Sequence, residues 1–215
     1  MTGDAVARIG IIGGGVLGRQ LVDMLTTDAG ADVVTFDDPR VAEGDPTAAP
    51  FAAHLDDAYR DRAMYVGLGY RHLARKQALI ATLLAAGRDV PALIHPSAYV
   101  DPSAQIGAGA VIFPRCTIGP GVVIGAGVLL HCNVTVAHDV TIGAASYLAP
   151  AVAVSGFVAI GARSFIGTAT AIANGVSLGD DVIVGIATCV TRNLESGSSA
   201  IGNPMRVLDR PLKLT

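Results

Sequence analysis

The sequence predicts a small α/β unit followed by a parallel β-solenoid, and three observations carry that expectation. From Ile94 to Val190 every sixth residue is aliphatic, sixteen steps without a break in phase. Near the start, "RIGIIGGGVLGRQLVDML" reads as a short apolar strand, a glycine turn and a helix. Composition agrees with a core of small aliphatic side chains: the 215 residues include 26 Gly, no Trp and only 5% aromatics.

A fixed period of six is the mark of a solenoid, in which each repeat buries its apolar position against its neighbours. Position 1 of each hexad is Ile, Leu or Val. Position 5 is small or β-branched, as in Ala98, Ala104, Ala110, Cys116 and Val122, and only the last, Leu194, is larger. Gly at position 2 or 4 and Pro at position 3 suit corners between short strands. The solenoid is expected to span residues 93–215.

The first 92 residues follow a different rule. Gly13, Gly15 and Gly18 form a G-x-G-x-x-G turn between the first strand and helix, the arrangement that cradles a phosphate at a helix N-terminus. A second strand, "DVVTF", ends in Asp37-Asp38, where an acidic residue can hold a ribose hydroxyl. A third strand, "AMYVGLG", precedes the helical stretch "HLARKQALIATLLAAG". This amounts to about one mononucleotide-binding half of a Rossmann-like fold. It is too short for a dinucleotide fold, and no hydride-transfer site is visible, which argues against an oxidoreductase.

Composition excludes other classes. Hydrophobic residues are 51% and charged ones 15%, so the chain is not disordered. A net charge of −3 offers no basic field to nucleic acid or anionic lipid. Three Cys, an odd number without motif spacing, read as reduced thiols of a cytoplasmic protein. The N-terminus lacks the basic start and cleavage site of a signal peptide. No uninterrupted apolar run reaches transmembrane length, so no membrane partner is expected.

One stretch breaks the aliphatic filler. In "VAHDVTIG", His138 and Asp139 occupy positions 3 and 4 of a hexad, on an outer corner. If three hexads make a coil, the residues eighteen and thirty-six further on share that corner, and these are Gly156 and Asn174. A base beside a bare backbone N–H is a minimal acyl-transfer site: the base deprotonates the acceptor and the N–H steadies the developing oxyanion. Asp139 can orient the imidazole.

These pieces together resemble the sialic acid O-acetyltransferase family, which includes bacterial N-acetyltransferases of nucleotide-linked amino sugars in bacillosamine and perosamine biosynthesis. The resemblance rests on "IIGGGVLGRQL", "VAHDVTIG", the closing "AIGNPMRVL" and the hexads, and it covers nearly the whole chain. It implies a Rossmann-like domain followed by a left-handed β-helix, acetyl-CoA as acyl donor with no metal, a sugar-nucleotide acceptor, and a homotrimer with each site between neighbouring helices. It also implies roles. His138 looks like the catalytic base, Asp139 like its partner, and Gly156 like the glycine whose N–H meets the thioester carbonyl. Thr168 and Ile186 fall where the family's backbone contacts coenzyme A. Gly13, Gly14, Gly15, Asp37, Asp38 and Gly69 match the nucleotide-sugar contacts. Two positions depart from the family. Leu17 stands where a histidine usually reaches the sugar amine, which gives weight to an O-acyl acceptor. Tyr147 stands where a second histidine helps bind the acyl donor, and its hydroxyl can still donate. The segment "GLGYRHLARK" lacks the family's common Asn.

Two other functions share such a fold. A zinc enzyme of the γ-carbonic anhydrase kind needs three His ligands. His95 and His131 are thirty-six apart and stack on one face, but the third expected position is Val136. A non-catalytic nucleotide-sugar binder would differ in releasing no thiol from acyl-CoA.

Overall fold

The computed structural model describes residues 6–26 and 31–213. The chain divides into two compact units, Met1–Pro91 and Ala92–Thr215.

In the first unit, β1 (Arg8–Ile12), β2 (Asp32–Phe36), β3 (Ala48–Ala49) and β4 (Ala63–Val66) form one parallel sheet in the order β3-β2-β1-β4. Four of the five β1 residues are buried, as expected of the inner strand of a parallel sheet. Helix α1 (Val16–Thr26) buries Leu17, Gly18 and Leu21. Gly18 and Gly67 are placed by contact. A Cβ on Gly67 would stand 2.7 Å from the Gly18 Cα and 2.8 Å from the Gly13 carbonyl oxygen, so helix, loop and strand end meet without side chains between them. Helix α2 (Asp38–Ala42) is a single turn capped by Asp37. Helix α3 (Leu73–Ala85) buries Leu73, Lys76, Ile80 and Leu83, one stripe at helical spacing. Lys76 is the exception in that stripe, and burial pushes its ammonium down to about 8.

The second unit is a solenoid of short strands in three stacks of eight, six and five, two residues each except Ser199–Ile201 and parallel except for the last strand, Arg206–Val207. Strands pair with those eighteen residues away, as Thr135 does with Thr117 and Ala153. Position 1 fills the interior: Ile112, Leu130, Ile142, Ile166 and Val190 are all within 1% of complete burial. Position 5 lies beside it. Where position 5 is polar, its hydroxyl serves the backbone. Ser146 Oγ donates to the Gly161 carbonyl at 2.7 Å and accepts from the Ser164 N–H at 3.0 Å, and Ser164 Oγ accepts in turn from the Val182 N–H at 3.1 Å. Cys116 at this position is also buried, which pushes its thiol up to about 11.

The corners hold a feature the period alone does not disclose. From Gly109 to Ala187 the fourth residue of every hexad has positive φ, whether it is Gly, Asn, Asp, Ala, Arg or Phe. The reason is hydrogen bonding. This turn sends the position-4 N–H to the position-3 carbonyl of the coil below, as from Asp139 to Pro120 at 2.9 Å and from Gly175 to Gly156 at 2.9 Å. The ladder therefore continues around the corner, which offsets the roughly 1–2 kcal/mol that a left-handed residue costs. The last coil departs from the period, since Leu178 bridges Leu194, and the chain ends in an antiparallel pairing of Ser199–Ile201 with Arg206–Val207.

Candidate functional site

His138 lies on the corner between the strands Thr135–Val136 and Thr141–Ile142. Its imidazole Nδ1 donates to Asp139 Oδ2 at 3.0 Å. That bond assigns the proton to Nδ1 and leaves Nε2 as the acceptor. Both side chains are about half exposed. The left-handed backbone at Asp139, φ 55°, turns the carboxylate back toward its neighbour.

Two glycines give this pair its room. A Cβ on Gly156 would stand 2.6 Å from both Cε1 and Nε2 of His138, and one on Gly121 would stand 2.7 Å from Asp139 Oδ1. Gly156 is buried under the imidazole, with Asn174 Oδ1 3.2 Å from the same point. The missing side chain thus makes space first for the base itself, and only then for a ligand. The Gly156 carbonyl accepts from Gly175, while its N–H has no acceptor among the described residues. Other position-3 N–H groups are also unpaired, so this group is singled out by the imidazole beside it. Phe157, next in sequence, sets its ring edge-on to His138 with centroids 4.9 Å apart.

The other expected acyl-donor residues lie elsewhere on the solenoid. Thr168 and Ile186 share a different corner, following Phe165–Ile166 and Ile183–Val184, and Ile186 is 73% exposed. Tyr147 is on the outer face of the eight-stranded stack, its ring stacked on Phe165 at 5.7 Å and near His131. A single chain does not bring these three to the His138 corner.

In the first unit, the crevice at the carboxyl ends of β1 and β4 has a volume of about 530 Å³. Gly15, Val16, Leu17, Gly67, Gly69, Tyr70, Arg71 and His72 line it. It opens where the strand order reverses, the usual place for a nucleotide in an open α/β sheet. Gly15 and Gly69 border it with open space where a Cβ would be. The acidic pair is used differently. Asp37 accepts from the Gly14 N–H at 2.7 Å and the Arg40 N–H at 3.1 Å, and Asp38 accepts from the Phe51 N–H at 2.8 Å. Both carboxylates hold the loop in shape, and neither lines the crevice. Sequence reasoning missed Tyr70, Arg71 and His72. Their signal was the aromatic and basic run just after the "GLG" that ends β4. A larger hollow of about 670 Å³ lies along α1 and β2, between residues such as Arg19, Gln20 and Thr47, away from the glycine turn's mouth.

His131 stacks on Phe113, ring centroids 4.6 Å apart, and its Nδ1 accepts from the Cys132 N–H. Val136, where a third zinc ligand would be needed, points into the interior and is 1% exposed. Among the described residues no three His, Cys, Asp or Glu side chains are placed to share a metal ion.

A corner His–Asp pair over a bare glycine, on coils of three hexads, defines a hexapeptide-repeat solenoid protein with a polar site on its outer edge. The chain belongs to the family described as the GMPPB C-terminal domain, which matches residues 94–203. Among solved structures it is similar to PerB from Caulobacter crescentus, in complex with CoA and GDP-perosamine. The two are 31% identical with a TM-score of 0.82, over 95% of this chain and 98% of that one. It is also similar to the acetyltransferase domain of PglB from Neisseria gonorrhoeae FA1090, in complex with acetyl coenzyme A. There the identity is 26% and the TM-score 0.81, over 95% of this chain and 100% of that one. WeeI from Acinetobacter baumannii AYE, 20% identical with a TM-score of 0.81 over 94% of this chain and 100% of that one, shares the fold. No curated protein matches the chain in sequence.

Proposed function

We propose that the chain is an acetyl-CoA-dependent acetyltransferase acting on an amino or hydroxyl group of a nucleotide-linked sugar. The observation that carries this reading is the His138 corner: a base with its Nδ1 held by Asp139, resting on a glycine whose N–H has no acceptor. Likeness over nearly whole chain lengths to an acetyltransferase domain in complex with acetyl coenzyme A, and to a protein in complex with CoA and GDP-perosamine, supports it.

His138 Nε2 takes the proton from the acceptor nitrogen or oxygen as that atom bonds to the acyl carbon. The Gly156 N–H donates to the carbonyl oxygen as it gains charge. Asp139 keeps the imidazole in the tautomer that can accept and steadies the imidazolium. The proton then passes from Nε2 to the departing thiolate, which restores the base. The residues present suit an acyl-CoA donor, because the second corner offers the unpaired position-3 N–H groups of Thr168 and Ile186 to amide carbonyls.

The finer parts of the reading go with this one. The solenoid winds left-handed, and the first unit is Rossmann-like and holds the nucleotide in the crevice that Gly15 and Gly69 border. The donor residues lie on another corner and another face, so a second chain supplies the facing wall, and a cytoplasmic homotrimer closes the set of sites.

The test is thiol release from acetyl-CoA across a panel of sugar nucleotides, with product mass. Release that requires a sugar nucleotide, together with a product heavier by one acetyl group, is expected. Absence of thiol release with every acceptor would refute the reading.

A further inference from the structure

The His138 corner carries one more polar side chain, which the chemistry above leaves unused. Asn174 occupies position 3 of the coil that follows Gly156. Its Oδ1 is 3.2 Å from the point where a Gly156 Cβ would be, and His138 Cε1 and Nε2 are 2.6 Å from the same point. The bare glycine is thus bounded by the base from the coil below and by a carboxamide from the coil above. The turn does not account for an Asn here. The left-handed residue of this corner is Gly175, φ 73°, and in the two coils below His138 the same position is Pro120 and Pro102. The Asn174 side chain is exposed, and its amide makes no hydrogen bond among the described residues, so it adds nothing to the ladder.

We infer that Asn174 is a further catalytic residue, whose amide N–H joins the Gly156 N–H in holding the oxyanion. This rests on the reading of His138 as the base of an acetyltransferase. As the acceptor atom bonds to the acyl carbon, the carbonyl π pair moves onto oxygen and the acceptor's proton goes to His138 Nε2. When the π bond re-forms, the sulfur leaves with its bonding pair and takes that proton. In between, the oxygen carries the charge, and one backbone N–H covers only one of its lone pairs. The Gly156 N–H fixes that oxygen beside the glycine, within reach of the Asn174 carboxamide. Asn side chains are suited to this task, because the donor is neutral and already in place. In the free protein the open polar group of Gly156 is its N–H, and the amide turns its oxygen inward. A negative oxygen at the same place draws the NH₂ end in by a half-turn about χ2, a torsion with two broad wells.

The experiment uses full-length protein, acetyl-CoA, and 4-amino and 4-hydroxy sugars linked to GDP or to UDP. Wild type, Asn174→Ala and Asn174→Asp are compared with the acceptor that gives most thiol release and an acetylated product. Asn174 is exposed and unbonded, so both variants keep the fold, which circular dichroism checks. Asn174→Ala is expected to lower kcat about 10²-fold and to leave both KM values within about threefold, as for a contact made only in the transition state. Asp has the shape of Asn but offers oxygen alone, so Asn174→Asp should lose kcat as well. An Asn174→Ala protein within about twofold of the wild-type kcat overturns the inference, as does a loss carried by either KM. An Asn174→Asp protein at the wild-type rate also overturns it, since the amide would then act through its oxygen. His138→Ala in the same assay separates the two readings: if it lowers turnover while the Asn174 variants behave as wild type, only the second donor is lost. Turnover with none of the acceptors removes both.

Discussion

At the corner of the solenoid, the residue opposite the base matters as much as the base. Gly156 leaves the space that the His138 ring occupies, and any Cβ there would press on Cε1 and Nε2. Gly156→Ala is therefore expected to leave the fold standing and to displace the imidazole. A misplaced base costs on the order of 10²-fold in kcat. The check is kcat alongside the near-ultraviolet circular dichroism of the variant, and a well-folded Gly156→Ala protein at full turnover would show that the packing is irrelevant to the chemistry. His138, Asp139 and Gly156 were all legible in the sequence, because the period places them on one corner by counting. The reason for the glycine was not legible. It depends on which way an imidazole leans, and hexad spacing says nothing about side-chain torsion. Asp37 and Asp38 show the same limit. Their place after β2 was readable, but their engagement with the N–H groups of Gly14, Arg40 and Phe51 depends on a one-turn helix and a 3-10 segment with no periodic signal.

Among the elements, the strand stacks follow from the sequence and the corners do not. Aliphatic positions in steady phase dictate the interior. The left-handed fourth position is imposed by the hydrogen-bond ladder, and Ala, Arg and Phe adopt it against their own preference, so local composition gives no warning. Inside the corner, Ser146 is expected to be worth more than its size. Ser146→Ala strands the buried Ser164 N–H and the Gly161 carbonyl, at a cost of about 1–3 kcal/mol. Denaturant unfolding of the variant measures this, and no loss of stability would mean the ladder is idle. In α3, Lys76 is buried among Leu73, Ile80 and Leu83, with its ammonium pushed down to about 8 from 10.5. The folded state therefore gives up this proton at lower pH than the unfolded state does. The penalty is full below about pH 8 and fades as pH rises toward 10.5, so stability gains across that window. Lys76→Met should stabilise the protein at neutral pH by about 3 kcal/mol, taking 1.36 kcal/mol per pKa unit. It should also flatten the pH dependence of unfolding between pH 8 and 10. A variant no more stable than wild type at pH 7 would contradict the burial argument.

For the molecule as a whole, the proposed function divides between two units that obey different sequence rules. The first offers a crevice at a strand-order reversal, and the second offers a corner base. The aromatic and basic residues Tyr70, Arg71 and His72 of the crevice escaped notice because they sit in a short 3-10 turn, where neither strand nor helix period applies. The separation of His138 from Thr168, Ile186 and Tyr147 was only half readable. Counting by six puts them on different corners, but the faces become concrete only when the three stacks close. At the centre stands the proposal that a corner imidazole drives acyl transfer to a sugar nucleotide. The most direct test is the kcat of His138→Ala against wild type, with acetyl-CoA and the best acceptor of the sugar-nucleotide panel, in protein shown to be folded. A fall of roughly 10²- to 10⁴-fold is expected. A folded His138→Ala protein that keeps turnover near the wild-type rate would contradict it.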